Sequence, residues 1–352
     1  MNPNGPRPRT RSRSALTALA LTCAIILSGC GVRLETPPPT EPVPDAAEVI
    51  RRTAVADALL VADQADAAAA ADGVRSDVAD ELVLIAEATA LQAQQLGGEY
   101  DSGLGDIVAD DAGASPSATS PEETPRAVVR SLRDAATRTR AAANQAQAGP
   151  LGRLLGSVSA AQTQYARDLA RLTGARGPAL PPTEIPEPTE TGAEPSDAEE
   201  ASAAPASAAT GPPSAPTGLS AEELDVLVVA EDSAAYALEV RAAQADGEVR
   251  DRAHDRARLH RARAQGWAVM AGTDGTDQDP RSVAYALPDP DAATPDLARA
   301  LEDGLAQNYA TLVGVAEPGT RAILVAMLTD TTLAGAQWGS PAVPFPGLPE
   351  RG

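Results

Sequence analysis

The sequence has few of the side chains that most enzymes use for catalysis or metal binding. Its 352 residues include two Cys, two His, two Trp, five Tyr and one Phe. It contains no Cys/His cluster, no Gly-rich phosphate loop and no nucleophile-elbow motif, which are the marks of zinc sites, nucleotide-binding folds and hydrolases. These absences leave no motif that identifies a reaction or a ligand.

Positive charge is also scarce, and apart from two His residues all of it is carried by Arg. The chain has 28 basic and 49 acidic residues and a formal net charge of −21. Nucleic-acid binding requires clustered positive charge, so this balance argues against a nucleic-acid partner. The low content of aromatic and β-branched residues argues against an all-β fold.

The N-terminus has the pattern of an export signal. Residues 1–14 contain four Arg and no acid, and residues 15–27 form an apolar run that is too short to span a membrane. The run ends in Leu27-Ser28-Gly29-Cys30, which resembles the lipobox of bacterial lipoproteins. The resemblance implies that the Cys30 thiol is acylated and that the signal peptide, residues 1–29, is cleaved between Gly29 and Cys30.

This interpretation predicts a membrane-anchored protein without a disulfide. Cys23 would be removed with the signal peptide and Cys30 would carry lipid, which leaves no thiol for an internal bridge. We expect the mature chain on the outer face of the cell membrane, held there by its acylated N-terminus. An ordinary signal peptide or an uncleaved anchor that happens to contain Cys is the alternative.

Composition divides the rest of the chain into four segments. Residues 30–45 form a Pro-rich tether, and residues 46–176 carry the apolar periodicity of an N-terminal helical bundle. Residues 177–218 have an acidic, Pro-rich composition without apolar periodicity, which predicts a disordered linker. Residues 219–352 return to helical periodicity and form the second folded block.

Local signals place helix ends within both blocks. Gly97-Gly98 predicts a helix stop, and Thr124-Pro125 predicts a helix start. Ser220 with Glu223 forms a capping box, and Pro318-Gly319 opens the last predicted helix. The predicted fold is all-α, with two antiparallel four-helix bundles joined by the linker. Whether the two bundles pack together is left open.

The second block carries a set of motifs spread over about 130 residues. They are Ala230-Glu231 with Tyr236, His260-Arg261, Tyr285-Ala-Leu-Pro288, Leu301-Glu302 with Tyr309, and Trp338-Gly339 followed by Phe345-Pro346-Gly347-Leu348-Pro349-Glu350. Together they resemble a ferritin-like domain of unknown function found in lipoproteins of high-GC Gram-positive bacteria. The closing run is the most specific part of the match, and the resemblance implies a ferritin-like fold.

The resemblance also raises the question of a metal centre. Ferritin-like di-iron proteins use a Glu from each of two helices and a Glu-x-x-His from each of two others. Glu231 and Glu302 match two of the carboxylates, but Ala257 stands where the Glu before His260 is required. The last helix offers only Asp330. We therefore predict no metal site and no cofactor, and retain Glu231, His260 and Glu302 as candidate ligands of iron or manganese.

Structural roles compete with these ligand roles. The structural role predicted for Glu231 is that of a buried carboxylate paired with an Arg from the second helix of the C-terminal block. The structural role predicted for His260 is a surface or helix-capping position. The Arg-rich run of residues 250–263 fits a solvated, ion-paired face, with an anionic lipid or glycan site as the alternative. Trp267, Tyr309 and Trp338 fit the core, with a ligand pocket as the alternative.

The expected function is that of a lipid-anchored, extracytoplasmic envelope protein. We expect a non-enzymatic scaffold or an interaction module whose protein or small-molecule partner the sequence does not identify. A ferritin-like metal-binding protein or metal-dependent oxidoreductase is the alternative, and it is motivated by the resemblance together with Glu231, His260 and Glu302. A third hypothesis is a protein that binds small apolar ligands within the second bundle.

Overall fold

Helices account for the regular structure of the chain. The computed structural model describes residues 43–101, 124–186 and 215–351, which contain α-helices, a 3₁₀ turn and no β-strand. The helices are α1 (Ala46–Ala69), α2 (Ser76–Gln95), α3 (Pro125–Gln145), α4 (Gly149–Thr173), α5 (Ala221–Gln244), α6 (Gly247–Ala271), α7 (Thr294–Val315) and α8 (Ala322–Gln337), and the turn is Pro349–Arg351. The prediction of an all-α fold is confirmed.

The predicted export signal lies outside the described residues. This applies to the signal peptide of residues 1–29, to Cys30 and to most of the Pro-rich tether. Within the described ranges, no helix combines the length and the apolar character that crossing a membrane requires.

Most helix ends follow the signals in the sequence. The Thr124 hydroxyl accepts a hydrogen bond from the Ala127 amide at 3.2 Å, which caps α3. The capping box of α5 is complete, since the Ser220 hydroxyl accepts from the Glu223 amide and the Glu223 carboxylate accepts from the Ser220 amide. Gly174 ends α4 in the left-handed conformation at a φ of 65°. These residues satisfy backbone groups that helix ends leave unpaired.

The last helix begins later than predicted. Its first residue is Ala322, whereas the sequence pattern had placed the start at Pro318-Gly319. Gly319 has a φ of 89°, which is incompatible with the first turn of a right-handed helix.

Helices adjacent in sequence pack as pairs, and the first two pairs form a bundle. α1 lies against α2 and α3, and α4 lies against α2 and α3. The centre of this bundle contains Leu82, Ile85, Leu132, Tyr165 and Leu169, all fully buried. Small Ala side chains fill much of the space between these larger residues, which lets the helices approach closely.

The two blocks of helices pack against each other, which answers the question left open by the sequence. The described residues all belong to one compact unit. α4 contacts α7 and α8 as well as its own bundle, and 16 of its 25 residues are buried. At Gly156, the absence of a side chain admits Val313 and Val325 from the second block. α4 is therefore the central helix of a shared core.

Two further contacts connect the blocks. The backbone of α4 approaches that of α7 so closely that a Cβ atom at Gly149 would lie 2.0 Å from the carbonyl oxygen of Gly314. The buried Arg321 guanidinium donates hydrogen bonds to the Ala146 carbonyl at the end of α3 and to the Ala316 carbonyl at the end of α7. Arg321 thus satisfies carbonyl groups of both blocks.

Both ends of the predicted linker lie against helices. Ile185 packs on α6 next to Gly266, where a Cβ atom would lie 3.0 Å from the Ile185 side chain. The Thr217 carbonyl accepts a hydrogen bond from the Glu317 amide at 2.9 Å. Residues 187–214 of the predicted linker lie outside the described ranges, and its two ends, residues 177–186 and 215–218, contain no helix or strand but make these contacts at Ile185 and Thr217.

Candidate functional site

Charged side chains from all four helices of the second block meet in its interior. This ionic cluster consists of Glu231 on α5, Arg256, His260 and Arg263 on α6, Glu302 on α7, and Asp330 on α8. The three α6 residues are spaced four and three apart, which places them on one face of that helix. Glu231, His260, Glu302 and Arg263 have at most 2% of their surface exposed.

His260 bridges two carboxylates. Its Nδ1 lies 2.5 Å from Glu231 Oε2, and its Nε2 lies 3.2 Å from Glu302 Oε1. Burial by itself lowers the pKa of His260, but the two carboxylates outweigh burial and the nearby Arg256, so that the pKa is raised. A protonated imidazole donates from both nitrogens and satisfies both acceptors.

Arg256 joins the carboxylates of α7 and α8. Its Nε and Nη2 each donate to one oxygen of Glu302 at 2.6 Å, and its Nη1 donates to Asp330 Oδ2 at 2.7 Å. Arg263 donates to the same Asp330 oxygen at 2.7 Å. Burial opposes ionisation of Asp330, yet the two guanidinium groups lower its pKa to about 2. The pKa of Glu302 is likewise lowered, because Arg256 and His260 overcome its burial.

Two aromatic side chains complete the surroundings of Glu231. The Tyr309 hydroxyl donates to Glu231 Oε1, and the Trp267 indole N–H donates to the Tyr309 hydroxyl at 3.1 Å. Burial, reinforced by the Glu231 carboxylate, holds the pKa of Tyr309 well above its usual value. Trp267 and Tyr309 are fully buried and Trp338 is 5% exposed, so the prediction that these residues belong to the core is confirmed.

The formal charges of the ionic cluster balance when His260 is protonated. The negative charges of Glu231, Glu302 and Asp330 then face the positive charges of Arg256, Arg263 and His260. Uncompensated charge is very unfavourable in a protein interior. Neutrality explains how so many ionised groups coexist among buried side chains.

The structure corrects two of the sequence-based interpretations. His260 is fully buried and is neither a surface residue nor a helix cap. Glu231 is buried as predicted, but its partner on α6 is His260 and not an Arg. Arg256, one turn before His260, pairs with Glu302 instead. The spacing of Arg256, His260 and Arg263 on one face of the helix was the signal that could have revealed the cluster.

The Arg-rich run of α6 has a solvated side and a buried side. Arg258 pairs with Asp255 in solvent, and Arg261 pairs with Asp232 and Glu239 near the surface. These contacts agree with the predicted ion-paired face. Arg256 and Arg263 depart from that prediction, because their side chains are 10% and 3% exposed and point into the bundle.

The residues that are candidate metal ligands come together but do not fit a metal ion. Both nitrogens of His260 and both oxygens of Glu302 already contact charged protein groups. The guanidinium groups of Arg256 and Arg263 stand among the carboxylates, where they would repel a divalent cation. Across the described ranges, no three or more His, Cys, Asp or Glu side chains are grouped so that they could hold a metal ion.

Comparison with known proteins finds one family match. The model of a domain of unknown function (DUF4439) matches residues 224–350, a range that contains the whole ionic cluster. This agrees with the expectation that the C-terminal block is a domain of unknown function. No curated protein and no solved structure matches the chain.

Proposed function

We propose that this chain is a lipid-anchored, extracytoplasmic envelope protein that serves as a binding module or scaffold and not as an enzyme. The observation that carries the proposal is that every carboxylate of the ionic cluster is paired, although Nε and Nη1 of Arg263 have no hydrogen-bond partner in the described chain. Every carboxylate in the cluster accepts from a side chain of another helix, and the groups with the chemistry of a catalytic acid or base face one another. In this proposal the cluster fixes the four C-terminal helices in place.

Burial of the cluster supports a structural role. A catalytic acid or base must come within hydrogen-bond distance of its substrate. Glu231 and His260 have no exposed surface, and Glu302 is 1% exposed. A substrate could reach them only after separation of helices whose packing depends on these same contacts.

The export and anchoring part of the proposal is supported by the sequence. Four Arg, the short apolar run and the residues Leu27 to Cys30 follow in the order of a lipoprotein signal. The Pro-rich residues 31–45 that come next suit a spacer between a membrane surface and the first helix.

Metal analysis distinguishes this proposal from the alternative of a metal-binding protein or oxidoreductase. The convergence of Glu231, His260 and Glu302 at one point favours that alternative. Residues 31–352 would be purified after growth with added iron and manganese, and the metal-to-protein ratio would be measured by elemental analysis. We expect iron, manganese and zinc far below one ion per chain. A ratio of one or two that disappears in Glu231→Gln would refute the non-metal role.

Lipidation is tested by metabolic labelling with a fatty-acid analogue. Cys30→Ala should abolish the label because it removes the acylated sulfur. Cys23→Ala is the matched control and should keep the label, since Cys23 belongs to the segment that is cleaved. Label that persists in Cys30→Ala would show that the anchor is assigned wrongly.

A further inference from the structure

A second polar site lies at the C-terminal end of the chain, apart from the ionic cluster. The tail cavity, as we name it, has a volume of about 230 Å³ and is bounded by α4, α7, α8 and residues 340–349. Its lining includes Gln164, Asp303, Thr332, Ser340, Val343 and Phe345. One wall is the run Phe345-Pro346-Gly347-Leu348-Pro349 near the C-terminus.

This wall is fixed by both blocks of helices. Ser157 on α4 donates to the Pro346 carbonyl at 2.7 Å, and Gln92 on α2 donates to the Pro344 carbonyl at 3.0 Å. Gly347 has a φ of 76°, and a Cβ atom there would lie 2.5 Å from the Ala306 carbonyl oxygen on α7. The segment is therefore held against α7 at a distance that only glycine permits.

The interior of the tail cavity contains an unpaired amide. Gln164 is 3% exposed, and no residue in the described part of the chain forms a hydrogen bond with its side chain. The amide atoms keep access to solvent through the cavity, so water can serve as their partner in the ligand-free chain. A hydrogen-bonding group of a ligand inside the cavity would take the place of that water.

The entrance of the tail cavity carries a negative charge without a counter-ion. Asp303 contacts the Ser340 hydroxyl at 3.5 Å and forms no ion pair within the described ranges. Partial burial raises the pKa of Asp303 and the charge of the nearby Arg299 lowers it, but the Arg299 guanidinium donates to Asp296 and to the Trp338 carbonyl and forms no ion pair with Asp303. Val343 and Phe345 supply apolar surface to the lining of the same cavity.

We propose that the tail cavity binds a small primary amine that has an apolar body and a second polar group. The ammonium group would pair with Asp303, the apolar body would lie against Val343 and Phe345, and the second polar group would bond to Gln164. The volume suits about ten non-hydrogen atoms, which is smaller than a typical drug-sized ligand. This inference supplies a ligand for the binding role proposed above and rests on that role, but not on the lipid anchor.

Tyramine has these three features and provides a probe. Phenethylamine lacks its hydroxyl group, and 4-ethylphenol lacks its amine, so the three compounds separate the two polar contacts. Each compound would be titrated calorimetrically into the full chain and into the variants Asp303→Asn and Gln164→Leu. Asp251→Asn is the control for net charge, because Asp251 is an exposed residue on α6 that does not line the cavity.

Tyramine should bind with a dissociation constant on the order of 1 mM or tighter, the range expected of so small a ligand. Asp303→Asn should weaken both amines at least about tenfold, as loss of a charge-assisted hydrogen bond implies, and leave 4-ethylphenol unchanged. Gln164→Leu should weaken tyramine and 4-ethylphenol but not phenethylamine. Asp251→Asn should leave all three affinities unchanged.

Three results would overturn the inference. They are no tyramine binding to the unmodified chain, affinities for phenethylamine and 4-ethylphenol that both equal that of tyramine, or tyramine affinity that neither cavity variant alters. The metal and lipidation measurements are independent of these titrations. If tyramine fails to bind a chain that is lipidated and free of metal, the cavity assignment fails and the anchored, non-metal role stands.

Discussion

Replacement of Arg256 by Met tests whether the ionic cluster stabilises the helices. Methionine keeps the apolar stem but removes the three hydrogen bonds to Glu302 and Asp330, which are 2.6, 2.6 and 2.7 Å long. Glu302 would retain only the 3.2 Å contact with His260. Removal of one partner from a buried ion pair destabilises a protein by about 3–5 kcal/mol.

Protonation of Glu302 sets an independent limit on this loss. The buried carboxylate can become neutral in the variant, and from an ordinary pKa this costs about 3.7 kcal/mol at pH 7. The same step costs only about 1 kcal/mol at pH 5, because less work is needed to add the proton. The loss of stability should therefore shrink by roughly 2.7 kcal/mol between pH 7 and pH 5.

Urea unfolding followed by far-UV circular dichroism measures these changes. Arg258→Met is the matched control, since Arg258 lies two residues away on the same helix and pairs with Asp255 in solvent. Loss of such a surface pair should change the free energy of unfolding by less than about 0.5 kcal/mol. The variants Arg256→Met and Glu302→Gln should also be non-additive by about 1–3 kcal/mol, because they remove the same contact.

The reasoning fails if Arg256→Met resembles Arg258→Met, or if its effect does not depend on pH. A loss of several kcal/mol that stays constant from pH 5 to pH 7 would indicate that Arg256 acts through packing alone. Additive effects of the two cluster substitutions would indicate that Arg256 and Glu302 do not interact in the folded protein.

Three other predictions concern single residues. The pKa of His260 is raised in the folded state, so the stabilisation from its protonated form is complete below pH ~6.5 and is lost as the pH rises through the raised value. His260→Gln should therefore lower the free energy of unfolding most at pH 6 and least at pH 9, as measured by urea unfolding. Gly149→Ala should lower the free energy of unfolding by about 2 kcal/mol or more, because its Cβ would clash with the Gly314 carbonyl. Gly177→Ala is the control and should change this free energy by less than about 0.5 kcal/mol, because a Cβ there meets no atom within 4 Å. Tyr165→Phe should raise the melting temperature, since it removes a buried hydroxyl that has no hydrogen-bond partner in the described chain and costs about 1–3 kcal/mol. A lower melting temperature in calorimetry would contradict this.

Helix positions could be predicted because their signals are local. The Thr124 cap and the Ser220 capping box each depend on residues within one turn, and both form as the sequence indicates. Apolar periodicity likewise reports which face of a helix is buried, without knowledge of its partner. The start of α8 was missed because the turn around Gly319 is shaped by a contact from outside it, the hydrogen bond of its amide to the Asn144 carbonyl.

The ionic cluster could be predicted only in part because its partners are distant in sequence. Arg256 is separated by 46 residues from Glu302 and by 74 from Asp330. An Arg-rich helix resembles a solvated surface until its acidic partners on other helices are known. The tail cavity is harder still, because Gln164 and Phe345 come from different blocks. The polar residues that line this cavity are not separated by a regular interval in the sequence, so no pattern predicts that they meet.

The two polar sites differ in what they leave available to another molecule. In the ionic cluster, guanidinium and imidazole groups satisfy the carboxylates of three helices and leave no place for an exchangeable ligand. In the tail cavity, the Gln164 amide and the Asp303 carboxylate have no such partners in the described chain. The cluster carboxylates are also buried, whereas the tail cavity is reached from the surface, where Asp303 is exposed. A small molecule can therefore contact the polar groups of the tail cavity without separating helices, which the cluster does not allow.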